Sequence, residues 1–113
     1  MSDKYILDEC GQPQPCNDLL AWGRWMETAT NRVISQIKLS NGVRVSTVFL
    51  GLNYAFDDAS EPLLYETMIF GGTHDQYQER YSTRQAALAG HTHAVRIALG
   101  ESEELLTPTV PDA

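Results

Sequence analysis

The residue types best suited to chemistry in this chain are three histidines, a mid-strand carboxylate, a glycine pair and two cysteines. Gly90-His91-Thr92-His93 falls in a stretch of helical periodicity. Residues at i and i+2 of a helix point about 200° apart, so His91 and His93 cannot share one metal ion. His91 lies on the packing stripe and should be buried and hydrogen-bonded, with His93 on the solvated side. A zinc site would need His74 or the cysteines alongside, and spacing does not supply them. Glu66 sits in a strand between Leu64, Met68 and Phe70. A carboxylate among apolar groups is a usual starting point for a general acid or base. The competing expectation is a cross-sheet partner, Arg44 or Lys38. Gly71-Gly72-Thr73-His74 lacks the lysine and the following helix start of a phosphate-binding loop, and reads as a turn. Ser46, Thr47, Ser82 and Thr83 have no nucleophile motif around them. The chain therefore reads as non-enzymatic, with no cofactor and no metal.

Binding is the better-founded expectation. Tyr54 and Phe56 flank Ala55 in a loop that continues into Asp57 and Asp58. Aromatic side chains at a loop rim bury large area at small entropic cost. Tyr54, Phe56, Asp57, Asp58, Glu66 and His91 form the candidate binding set. Cys10 and Cys16 are the only cysteines and read as free thiols in a reducing compartment.

These residues are positioned by elements whose signals are local. Tyr5-Ile6-Leu7 could add a strand to a sheet edge, and the Cys10–Cys16 segment, with two prolines and a glycine, reads as an irregular connector. Asn17 or Asp18 can cap a helix with its stripe on Leu19, Trp22, Gly23 and Met26, Trp25 lying at the margin. Gly23 in that stripe suggests close approach to a sheet. Two β-prone runs flank Ser40-Asn41-Gly42. A three-residue loop ending on Gly42 pairs Leu39 with Val43, Ile37 with Val45 and Val33 with Phe49, which gathers the apolar residues on one face.

Leu63–Phe70 is apolar on both faces, as in a central strand covered on both sides. Gln76–Tyr81 follows as an edge strand. Ser82-Thr83-Arg84-Gln85 matches a capping box with Ser82 as cap. The helix behind it should bury Ala87/Leu88, His91, Val95 and Ala98/Leu99 and stop at Gly100. The order predicts an α+β two-layer sandwich: an antiparallel meander sheet of three to five strands with two helices on one face. Residues 1–100 form this single domain, and 101–113 read as a disordered acidic tail.

At 113 residues the chain needs no staples to fold. Fifteen acidic against eight basic side chains give a net charge of −7, which disfavours nucleic-acid partners. Charge spread over the chain also disfavours a nucleic-acid mimic. No stretch approaches the ~20 apolar residues of a membrane span, and the start lacks a signal-peptide core. A cytoplasmic location is expected by default.

Three segments together carry a resemblance: Val45-Ser46-Thr47-Val48-Phe49-Leu50-Gly51-Leu52, Tyr65-Glu66-Thr67-Met68-Ile69-Phe70-Gly71-Gly72, and Arg80-Tyr81-Ser82-Thr83 with Ala86, Ala89, Gly90 and His91. With Tyr5-Ile6-Leu7-Asp8 and Asp18-Leu19-Leu20-Ala21-Trp22, they resemble small proteins of tailed bacteriophages and prophages that have no assigned activity. The resemblance spans about residues 4–95, although the two cysteines, like the tail, are not part of its pattern. It implies a phage origin, the host cytoplasm as location, and a host or phage protein as partner. A host defence or regulatory component is one such partner, and a homodimer stays open. The alternatives are a small enzyme or ligand-binding protein using Glu66 and His91, or a virion assembly component.

Overall fold

The Ser40-Asn41-Gly42 turn sets the register of the main sheet. In the computed structural model, which describes residues 3–55 and 61–100, Leu39 N–H donates to the Val43 carbonyl (2.7 Å) and Gly42 N–H to that of Leu39 (2.9 Å). Gly42 takes φ 88°, the left-handed position that a side chain would strain. The turn joins β3 (Val33–Lys38) to β4 (Arg44–Phe49), with Lys38 opposite Arg44 and Ile37 opposite Val45, as expected. The expected pairing of Val33 with Phe49 is not made. A bulge between Val33 and Ser35 shifts the register, so Val33 faces Val48. The extra residue lets Ile34 pack against the core around Leu7 and Phe49, while Val33 is left 56% exposed.

β5 (Tyr65–Phe70) and β6 (Gln78–Tyr81) complete an antiparallel meander in the order β3-β4-β5-β6. Alternation sends Val45, Thr47 and Phe49 of β4, and Tyr65, Thr67 and Ile69 of β5, to one buried face. α2 (Arg84–Ala98) covers that face with Ala87, Gly90, His91 and Ala94. The buried stripe is thus smaller than expected, and Leu88 stays exposed. Small residues bring the helix close to the strands: a Cβ on Gly90 would overlap the Tyr81 phenol. Desolvation pushes that phenol up to about 12, helped by Tyr77 and Glu79 beside it. β5 is central, but among the described residues a helix covers only one of its faces. None of them packs a helix on the face carrying Glu66, Met68 and Phe70, which are only half-buried.

Both helices carry side-chain caps. Asp18 accepts from Leu20 N–H (3.0 Å) and Ala21 N–H (3.1 Å) at the start of α1 (Leu19–Thr28). α2 is capped by Thr83, which accepts from Ala86 N–H (3.0 Å), and not by Ser82. Thr83 is still extended, so Gln85 falls one position short of a capping box. Gly100, at φ 92°, ends α2 as expected.

The α1 stripe also differs. Leu19 is exposed, and Trp25 makes the main contact, edge-on to Phe49 at 5.8 Å. Trp22 Nε1 donates to the Gly51 carbonyl (2.9 Å). Nothing lies within 4 Å of a Cβ on Gly23, so that glycine serves no close approach.

The Cys10–Cys16 segment is not wholly irregular. β1 (Tyr5–Leu7) and β2 (Pro13–Pro15) form a small antiparallel ribbon whose turn is held by Asp8, which accepts from Cys10 and Gln12 N–H (both 2.9 Å). These bonds hold the exposed Asp8 carboxyl below its ordinary value, the Gln12 amide contributing most. Both thiols are free. Cys10 lies at the turn and Cys16 at the base beside Lys4, about 13 Å apart along the ribbon. A disulfide requires Cα atoms within about 7 Å.

Candidate functional site

The meander register divides the candidate residues between two faces. On the buried face, Thr47 and Thr67 are direct cross-strand partners. Thr47 Oγ1 lies 2.6 Å from Thr67 Oγ1 and 2.8 Å from His91 Nδ1 on α2. The Thr47 hydroxyl has one proton, so donation runs through it in one direction, set by the imidazole tautomer. All three residues are buried, and burial pushes the His91 imidazole below its ordinary value.

This polar rung divides the core. One apolar cluster holds Leu7, Phe49, Leu64, Tyr65 and Ala87, and the other Leu39, Val43, Val45, Ile69 and Ala94. His91 is therefore a buried, hydrogen-bonded residue, as the helical stripe indicated. His93 is exposed on another side of α2, and among the described residues no three of His, Cys, Asp and Glu are grouped to hold a metal ion.

The open face carries Glu66. Its partner is Arg80, directly opposite on β6, and not Arg44 or Lys38. Arg80 Nε donates to Glu66 Oε2 (3.0 Å), and Gln78 Nε2 donates to the same oxygen. The carboxylate is only 13% exposed beneath these donors. The Arg80 guanidinium also lies over the Tyr54 ring, 4.3 Å from its centroid. Tyr54 is thereby held on this face, 43% exposed. Arg44 stacks on its own register partner Phe70, also at 4.3 Å. Each stack is worth roughly 0.5–1 kcal/mol at an exposed site.

Sequence reasoning singled out Tyr54 and Glu66 but missed Arg80, which contacts both, and the stack of Arg44 on Phe70. The signal was the antiparallel register, which alone puts residue 44 beside 70 and 66 beside 80. Glu66 and His91 lie on opposite faces of the sheet and share no site. Phe56, Asp57 and Asp58, with the tail expected over 101–113, lie outside the described residues.

Gly71-Gly72-Thr73-His74 is a turn. The Asp75 carboxylate accepts from Gly71 N–H (2.6 Å), and Gln76 N–H donates to the Ile69 carbonyl (2.9 Å). The turn borders a cleft of about 470 Å³ between the β3–β4 turn and the end of α2, lined in part by Val43, Ile69, His74 and Ile97. Among the described residues no helix is long and apolar enough to cross a membrane. The chain matches no protein-family model, no curated protein and no solved structure.

Proposed function

We propose that this chain is a small, phage-type accessory protein that acts without catalysis by binding a protein partner on the open face of its meander sheet. The observation that carries the proposal is that face itself. A four-stranded sheet buries one side under α2, and the other presents Val48, Met68 and Phe70 between arginines held on aromatic rings. Partner-binding surfaces favour such arginine and aromatic anchors. The side chains with chemical potential are engaged elsewhere: Glu66 by two donors, and His91 within the core. The resemblance to phage proteins supports a host defence or regulatory protein, or a phage protein, as the partner class, with the host cytoplasm as the place of action.

The test is affinity capture from host lysate with the wild-type chain and with Met68→Asp, which places a charge at the centre of the face. A protein retained by the wild type and lost by a folded Met68→Asp variant is the expected result. Equal retention by both would remove the sheet face from the function.

A further inference from the structure

We infer that the open sheet face takes an extended acidic segment of a partner protein, with carboxylates spaced to reach two basic corners and apolar side chains between them. The inference rests on the docking role proposed above and adds its chemistry.

The first ground is charge. The chain as a whole carries −7, from fifteen acidic and eight basic side chains. The register puts Lys38, Arg44 and Arg80 on the open face with Glu66 as the one carboxylate among these strand positions. Local charge is therefore opposite in sign to the whole. Complementary fields of this kind select partners and speed encounter.

The second ground is spacing. Lys38 and Arg44 are paired at one end of the face, and Arg80 lies at the other, two strands and four residues away from Arg44. With strands about 4.8 Å apart and about 3.3 Å per residue, the corners are about 16 Å apart. An extended chain turns every second side chain to the same face, so carboxylates four or six residues apart, about 13 or 20 Å, bracket that span and point to both corners. Between the corners lie the half-buried Val48 and Met68, a floor for intervening apolar side chains, beside Ser46, which is buried and bonded to Gln36.

The third ground is donor geometry. Arg80 meets Glu66 through Nε, which leaves the two Nη nitrogens for a second carboxylate. A nucleic-acid strand fits less well. The rings that would stack on bases, Tyr54 and Phe70, each already have a guanidinium over one face, and the overall charge repels phosphate.

The experiment is NMR titration of the full chain with three probes: short Glu/Val/Thr peptides with glutamates four or six residues apart, their Lys-for-Glu counterparts, and oligo-dT. The glutamate peptides should shift Lys38, Arg44, Met68 and Arg80 and weaken as salt rises. Arg44→Glu should reduce their affinity at least about tenfold, and Arg80→Gln should do so too. Arg24→Glu on α1 should not, though it changes charge as much as Arg44→Glu. Thermal melts confirm that each variant folds.

Shifts by the lysine peptides on the same face would overturn the acidic assignment and leave the docking face standing. Shifts by oligo-dT alone would overturn both. Silence with all three probes would overturn the acidic assignment, while loss of capture by Met68→Asp would still uphold the face.

Discussion

Thr47→Val tests the buried rung most directly. Threonine and valine are both β-branched and similar in volume, so the strand and its packing are retained and only the hydroxyl is lost. That hydroxyl is the sole link between Thr67 Oγ1 and His91 Nδ1. Its removal leaves two buried polar groups short of a partner, each costing about 1–3 kcal/mol. Valine gains some apolar transfer energy in exchange, so the expected net loss is about 2–4 kcal/mol. Replacing the whole rung, as Thr47→Val/Thr67→Val/His91→Leu, leaves no stranded group and should recover most of this, to within about 1–2 kcal/mol of wild type. Urea unfolding at neutral pH, followed by tryptophan fluorescence, gives these differences, since Trp25 reports on the core through Phe49. A Thr47→Val variant within about 0.5 kcal/mol of wild type would refute the reasoning. So would a triple variant less stable than the single one.

The other predictions concern titration and backbone. His91 titrates below its usual value when folded, so the unfolded chain binds more protons between that value and about 6.5; its contribution is present above 6.5 and is lost as pH falls through the folded value, at up to about 1.4 kcal/mol per unit. Urea midpoints from pH 7.5 to 5.5 should fall more steeply for wild type than for His91→Asn, and parallel slopes would contradict this. Asp8, also held low, acts only below its ordinary 3.8 and does not enter that window. Gly90→Ala should destabilise by about 1–3 kcal/mol, because its Cβ overlaps the Tyr81 phenol, although helix propensity alone favours alanine by about 1 kcal/mol; a raised melting temperature would show that the contact is loose. Gly42→Val should cost about 1–2 kcal/mol from the left-handed backbone alone, since nothing lies within 4 Å of its Cβ, and an unchanged melting curve would refute it.

What the sequence by itself determined was local. Gly42 after Ser40-Asn41 fixed a three-residue turn, and alternation on either side fixed the register as far as Ser35. Asn17 or Asp18 and Gly100 marked helix ends, Asp18 being the cap used, because capping is a matter of neighbouring backbone groups. Helical angle alone separated His91 from His93. Acidity was plain from composition, and Tyr54 and Glu66 stood out by type and context.

Tertiary structure decided whatever depends on which strands become neighbours. The bulge at Ile34 answers to the core around Leu7 and Phe49, which are far away in sequence. Glu66 met Arg80 because β6 returned beside β5, whereas Arg44 turned to Phe70. The Thr47–Thr67–His91 rung joins three elements across 44 residues. Inward threonines on two strands could have hinted at it only once their pairing was known. The second face, on which no helix among the described residues packs, had the same origin: β5 is apolar enough to be covered on both sides, and α2 reached only one. Composition can supply an apolar face, but what comes to rest on it depends on the path of the chain.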